Sequence, residues 1–154
     1  MYNLKFGFSW IGIIVFILPM LINIVYFLLP PANAPANAPV SNKLLELVEQ
    51  GTRILYMLAL VFIVCKDKPD FKSPWLYLGL ICLVLYYIVW IRYFIGGRDV
   101  ALMNAHFLFI PQPLAIFPVL FFLFEAIWMQ NFVAAGCMVV FGIAHNIITY
   151  QSFH

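Results

Sequence analysis

Few side chains in this sequence are able to do chemistry, and most of them gather in four places. Glu46, Glu49, Gln50 and Arg53 fall within eight residues. On a helix they cover one arc of about 100°, with Glu46 over Gln50 and Glu49 over Arg53 at i,i+4. Tyr86, Trp90 and Tyr93 repeat at helical spacing, and Arg92 lies beside them. Asn104, His106 and Gln112 form a third group, and His145, Asn146, Thr149 and Tyr150 a fourth. A carboxylate–arginine pair would bind or orient a polar group. An aromatic stripe would stack on a ring or a cation. Histidines would carry protons or ligate a metal or haem. H-E-x-x-H, C-x-x-C and G-x-S-x-G are all absent from the sequence.

The surroundings decide how much weight these groups carry. Of 154 residues 66% are hydrophobic, 9% are charged, and the mean hydropathy is +1.02. Soluble domains are about 25% charged. Eight basic and six acidic side chains cannot coat a 17.7 kDa soluble domain. Composition therefore points to an integral membrane protein and away from a soluble enzyme, a secreted disulfide scaffold or a disordered chain. A net charge of +2 without a basic cluster offers nucleic acid little to grip.

A spanning helix needs about 20 mostly apolar residues. Five stretches qualify, near residues 8–29, 44–65, 74–95, 100–128 and 132–150. The expected fold is all-α: one transmembrane domain over residues 1–154, a bundle of five helices, with spans one and four kinked by proline. Ser41 is the expected cap of span two. Pro74 suits a first helical turn, and Gly96-Gly97 marks a stop. Span four contains Pro111, Pro113 and Pro118. It reads either as one long kinked helix capped by Asp99, which is preferred, or as an interfacial stretch over 100–110 with the span starting near Gln112.

Lys5 and the run after it resemble a signal peptide, but the run is too long for one, and proline follows both Ala-Asn-Ala sites. The reading is a retained helix, then a stiff, neutral Ala-Asn-Ala-Pro connection. Lys66, Lys68 and Lys72 crowd one short loop, so the positive-inside rule places the N-terminus in the cytoplasm and the C-terminus outside. Cys65, Cys82 and Cys137 form no even framework and read as small apolar packers.

Polar groups inside spans are costly, so their depth carries information. Five antiparallel spans would bring all four groups, with Asn23 and Tyr26 of span one, to the half of the bilayer nearer the C-terminal face. Glu125 stands alone in the other half, where pairing with a lysine of the 66–72 loop is the expectation.

Three functions follow. The first is binding or transport of a small polar or amphipathic molecule in that half of the bilayer. Its site would use Glu46, Glu49, Gln50, Arg53, Tyr86, Trp90, Arg92, Tyr93, His106, Gln112, His145, Asn146, Thr149 and Tyr150. The second is a membrane enzyme, or a b-type haem protein ligated by His106 and His145. The third is a non-catalytic accessory or immunity protein. Catalysis is the less favoured class, and no cofactor is specified. The expected partners are the lipid bilayer, a small-molecule ligand, and a second copy or a larger membrane protein.

Overall fold

The computed structural model describes residues 3–34 and 41–153. The Ala-Asn-Ala-Pro connection falls largely on 35–40, outside the described residues. Five of the apolar runs form long helices: α1 (Trp10–Leu28), α2 (Lys43–Phe62), α3 (Pro74–Ile95), α5 (Pro113–Trp128) and α6 (Phe132–Phe153). A one-turn helix α4 (Val100–Asn104) lies between α3 and α5. The fold is all-α apart from a two-stranded antiparallel ladder, β1 (Leu4–Phe6) with β2 (Ile63–Cys65). Three helices, α1, α3 and α6, are long and apolar enough to cross a membrane.

Local chemistry accounts for most helix starts. Ser9 caps α1 by accepting from the Gly12 amide at 2.9 Å. Asn42, not the expected Ser41, caps α2 by accepting from the Leu44 amide at 2.9 Å. Ser73 caps α3 with Pro74 in its first turn.

Two boundaries differ from expectation. Helix α2 stops at Phe62, because the next three residues leave the helix to pair with β1. The ladder continues toward α1 through Gly7 N–H to the Phe62 carbonyl and Ser9 N–H to the Val61 carbonyl. It ties the start of α1 to the end of α2.

The larger correction concerns the fourth apolar run. It is not one kinked helix from 100 to 128. Asp99 does cap a helix, but that helix ends at Asn104. Leu108, Phe109 and Gln112 all have positive φ, and Pro113 opens α5 as its first residue. The two prolines explain the break. Neither offers a backbone N–H, and each disfavours helical geometry in the residue before it. Pro118 stays inside α5, as Pro19 stays inside α1.

Packing follows the order α3–α5–α6–α2, with each neighbouring pair in extensive contact. Helix α1 lies across the open side of this layer. Near its start it meets α2, where a Cβ on Gly12 would stand 2.2 Å from the Leu60 carbonyl oxygen. Only a residue without a side chain permits that approach. Toward its end it meets α3. Tyr86 donates to Asn23 Oδ1 at 2.7 Å, and Tyr26 packs on the rings of Trp90 and Tyr93. At its middle α1 is held more sparsely, by the Tyr87 hydroxyl donating to the Leu18 carbonyl and by Phe16 stacked on Phe122 of α5, and space is left beneath it.

At the other end of the molecule, Asn131 joins three elements. Its side-chain amide donates to the Ala59 and Ile63 carbonyls at 2.8 and 2.9 Å. Its Oδ1 accepts from the Ala134 amide at 3.0 Å, capping α6.

Candidate functional site

The space beneath α1 is a cavity of about 530 Å³. Ligand pockets commonly measure about 300–1,000 Å³. Phe16, Met20, Asn23, Tyr26 and Phe27 of α1 form its front. Leu114, Ala115, Pro118, Val119 and Phe122 of α5 form its back. Helix α6 adds Met138, Phe141, His145, Thr149 and Phe153, α2 adds Arg53, Tyr56 and Met57, and α3 adds Tyr86 and Trp90. The interior proline of α5 faces the cavity, and the carbonyl it frees is that of Leu114, another lining residue.

The polar end is built around one carboxylate. Glu49 is 7% exposed. Its Oε1 accepts from Arg53 Nη2 and lies against His145 Nδ1, each at 2.8 Å. The Arg53 guanidinium stands over the Phe141 ring at 5.4 Å, and the His145 ring stacks on the same Phe141 at 5.1 Å. Glu49 and Phe141 together fix two cation-forming side chains from two helices. The pair within α2 follows from i,i+4 spacing. The contact with His145 requires α2 and α6 to run antiparallel at matched depth, as their packing provides.

The polar residues singled out in the sequence separate into three sets. Arg53, Tyr86, Trp90, Gln112, His145 and Thr149 line the cavity. Glu49, Tyr93 and Asn146 stand behind its wall. Glu49 holds the two cations, Tyr93 is fully buried against Tyr26 and Trp90, and the Asn146 amide donates to the Gly142 carbonyl at 2.7 Å. Gln112, in the amide orientation that satisfies its neighbours, donates to the Asn146 carbonyl and accepts from the Tyr150 amide, both at 3.2 Å.

Glu46, Gln50, Arg92, His106 and Tyr150 do not line the cavity. Glu46 and Gln50 are exposed on the outside of α2. Arg92 instead donates to the Leu102, Ala105 and His106 carbonyls, closing the turn that replaces the expected helix. His106 is exposed on that turn. The two histidines therefore do not share the cavity, because the chain between α4 and α5 carries His106 away from it. Among the described residues no three His, Cys, Asp or Glu side chains are grouped to hold a metal ion.

Beside this turn, Asn33 donates to Asp99 Oδ1 at 2.9 Å and accepts from the Val100 amide. The Asn33 hydrogen bond, with a smaller contribution from the Ala101 amide, holds the Asp99 carboxyl below its ordinary range.

Glu125 does not pair with a lysine. It is 1% exposed, and neither carboxyl oxygen has a hydrogen-bond partner among the described residues. It faces α3, where the missing side chain of Gly79 makes room. A Cβ there would stand 2.1 Å from Oε1. The loop instead reaches α5 through Trp128, whose Nε1 donates to the Asp70 carbonyl at 2.8 Å.

Several lining residues carried no signal in the sequence. Phe141 is one of 16 phenylalanines, and only its position one turn before His145 marks it. Met20, Met57 and Met138 come from three different helices. They line one cavity only because those helices pack around it.

The chain matches no protein-family model, no curated protein and no solved structure. Among the described residues the fold and the site define its class as a mostly helical bundle with three candidate membrane spans and a partly open cavity between its helices.

Proposed function

We propose that the protein is a five-span membrane protein that binds a small amphipathic molecule in the half of the bilayer nearer the C-terminal face. The observation that carries this reading is the cavity of about 530 Å³ beneath α1, mostly methionine and aromatic in its walls and polar at the Arg53–His145 end. Binding is the step the cavity supports. Transport would add a second opening.

The five crossings would be α1, α2, α3, α5 and α6. The outward faces support lipid as the surroundings. Ile14, Ile17, Leu21 and Ile24 on α1 are exposed at helical spacing, as are Ile81, Val84, Ile88 and Ile91 on α3. Helix α2 qualifies less plainly, because Glu46, Glu49 and Arg53 lie between its start and its middle. Glu49 and Arg53 neutralise each other at 2.8 Å, and Glu46 is exposed near the start of the helix, where it would stand at the interface. Helix α5 has 16 residues, about 24 Å, and needs the preceding apolar turn to complete a crossing.

The topology has a direct test. In a cysteine-free background, Lys68→Cys and Gln151→Cys should react with a membrane-impermeant maleimide from opposite sides. With the N-terminus cytoplasmic, only Gln151→Cys reacts in intact cells. Labelling of both positions from one side would rule out five crossings.

Ligand binding is tested by bromine quenching of tryptophan emission, using the protein in nonionic micelles and 11-bromoundecanol as the probe. Trp10 and Trp75 are exposed and will be quenched without saturation, whereas Trp90 is 5% exposed and lines the cavity. A saturable component should appear in the native protein and vanish in Trp90→Phe. Quenching that rises linearly in both proteins would reject the binding site.

A further inference from the structure

The charge on the cavity wall has one sign. Among the described residues Arg53 is the one formally charged side chain lining it, His145 stands beside it, and no carboxylate is in the lining. Glu49 is behind both, with Oε1 at 2.8 Å from each. An ionised carboxylate can only accept, so the His145 Nδ1 must carry a proton. The Nε2 nitrogen has no partner among the described residues, and it is not sealed from solvent. The imidazole therefore offers Nε2 to the cavity, either as a lone pair or, with a second proton, as a donor.

That second proton decides what the site prefers. With a neutral imidazole, Glu49 and Arg53 cancel and the polar end has no net charge. With an imidazolium it carries +1. No other group facing His145 alters this sum. Helix α2 presents Glu49, Arg53 and the Tyr56 phenol. The turn before α5 presents only the Gln112 amide, and α1 and α3 present the Tyr26 and Tyr86 phenols. On α6 itself the Thr149 hydroxyl donates to the His145 carbonyl at 2.8 Å, away from the ring.

We infer that the cavity takes a monoanionic amphiphile, with its head between Arg53 and His145 Nε2 and its chain among the methionine and aromatic side chains, and that binding is linked to protonation of His145, with up to one proton taken up per molecule wherever the imidazole of the empty site is neutral. This rests on the reading of the cavity as a binding site. Two donors from different helices, both oriented by Glu49, form a charge-assisted clamp for an oxyanion. Uptake of the proton removes the repulsion between the arriving anion and Glu49.

The test extends the quenching experiment with three probes of one chain length: 11-bromoundecyl sulfonate, 11-bromoundecanol and 11-bromoundecyltrimethylammonium. The sulfonate stays ionised throughout, so any pH dependence belongs to the protein. It should half-saturate Trp90 quenching at a concentration about tenfold or more below the alcohol, as expected for a charge-assisted hydrogen bond. The ammonium probe should bind more weakly than the alcohol. Sulfonate affinity should fall by up to about tenfold per pH unit as His145 loses its proton, while alcohol affinity stays flat. Calorimetry in two buffers of different ionisation enthalpy, repeated across the pH range where sulfonate affinity falls, should show proton uptake rising toward one per sulfonate, a measurement that needs no variant. Arg53→Ala should abolish the preference for sulfonate. His145→Gln should keep part of it and lose both the pH dependence and the proton uptake.

The outcomes separate. Equal affinities for sulfonate and alcohol, unchanged by Arg53→Ala, would overturn the anionic head and leave the binding site standing. A sulfonate preference without proton uptake would overturn the role of His145. No saturable quenching by any of the three would overturn the binding site itself.

Discussion

Replacing Asn131 by alanine is expected to lower stability by about 2–4 kcal/mol, measured by titration from mild micelles into a denaturing detergent. Asn131 is 1% exposed and belongs to the short turn between α5 and α6. Its side chain satisfies three backbone groups: the carbonyls of Ala59 and Ile63 and the amide of Ala134. The alanine variant loses the α6 cap, worth about 0.5–2 kcal/mol. It also leaves the part-buried Ile63 carbonyl without its side-chain donor, while the Ala59 carbonyl keeps the Ile63 amide, and an unsatisfied buried polar group costs about 1–3 kcal/mol. Asn131→Asp separates the two effects, since it keeps the cap oxygen and removes both donors. The aspartate variant should be no more stable than Asn131→Ala, because it sets an acceptor oxygen against the Ala59 and Ile63 carbonyls. If the alanine variant is as stable as the native protein, this turn does not fix α2 against α6, and the alignment that brings Glu49 to His145 needs another source.

This residue also shows where sequence reasoning stops. Asn131 reads locally as a polar residue between two apolar runs, and nothing nearby announces partners about 70 positions earlier. The ladder between β1 and β2 is hidden for the same reason. Three residues of each strand pair across 57 positions or more, and neither stretch alternates long enough to register. What was legible came from local rules. Hydropathy located the five long helices, Pro74 and Gly96-Gly97 bounded α3, and i,i+4 spacing gave the Glu49–Arg53 pair.

Depth along antiparallel helices was the one non-local inference that sequence permitted. It brought Tyr86, Trp90, Gln112 and His145 toward one another without giving the faces they occupy. Faces depend on packing. Arg92 is two residues from Trp90, so it points to the α4 turn while Trp90 points to the cavity. The prolines at 111 and 113 were ambiguous because proline suits both a kink and a first turn. The positive φ of Gln112 chose the second.

The second large effect has the opposite sign. Glu125→Met is expected to raise stability by about 1–3 kcal/mol in the same detergent titration. Burying a polar group without a hydrogen bond costs about that much by mutational measures, and both oxygens of Glu125 lack a partner among the described residues. Methionine is close in length and flexible, so it can fill the space against Gly79 without a hydroxyl or an amide to satisfy. Glu125→Gln keeps the unsatisfied polar atoms and should gain little. The order methionine above glutamine is thus part of the prediction. Gly79→Ala gives an independent check from the other helix. Its Cβ would stand 2.1 Å from Oε1, and Glu125 has no solvent to swing into. In the native background that substitution should be destabilising by about 1–3 kcal/mol, and combined with Glu125→Ala the penalty should largely disappear. A loss of stability in Glu125→Met, with Gly79→Ala still costly beside Glu125→Ala, would mean that the carboxyl contributes favourable interactions of its own. A buried acid kept at a net cost marks a position where stability yields to function. One kept at a net gain would belong to the frame that holds α3 against α5.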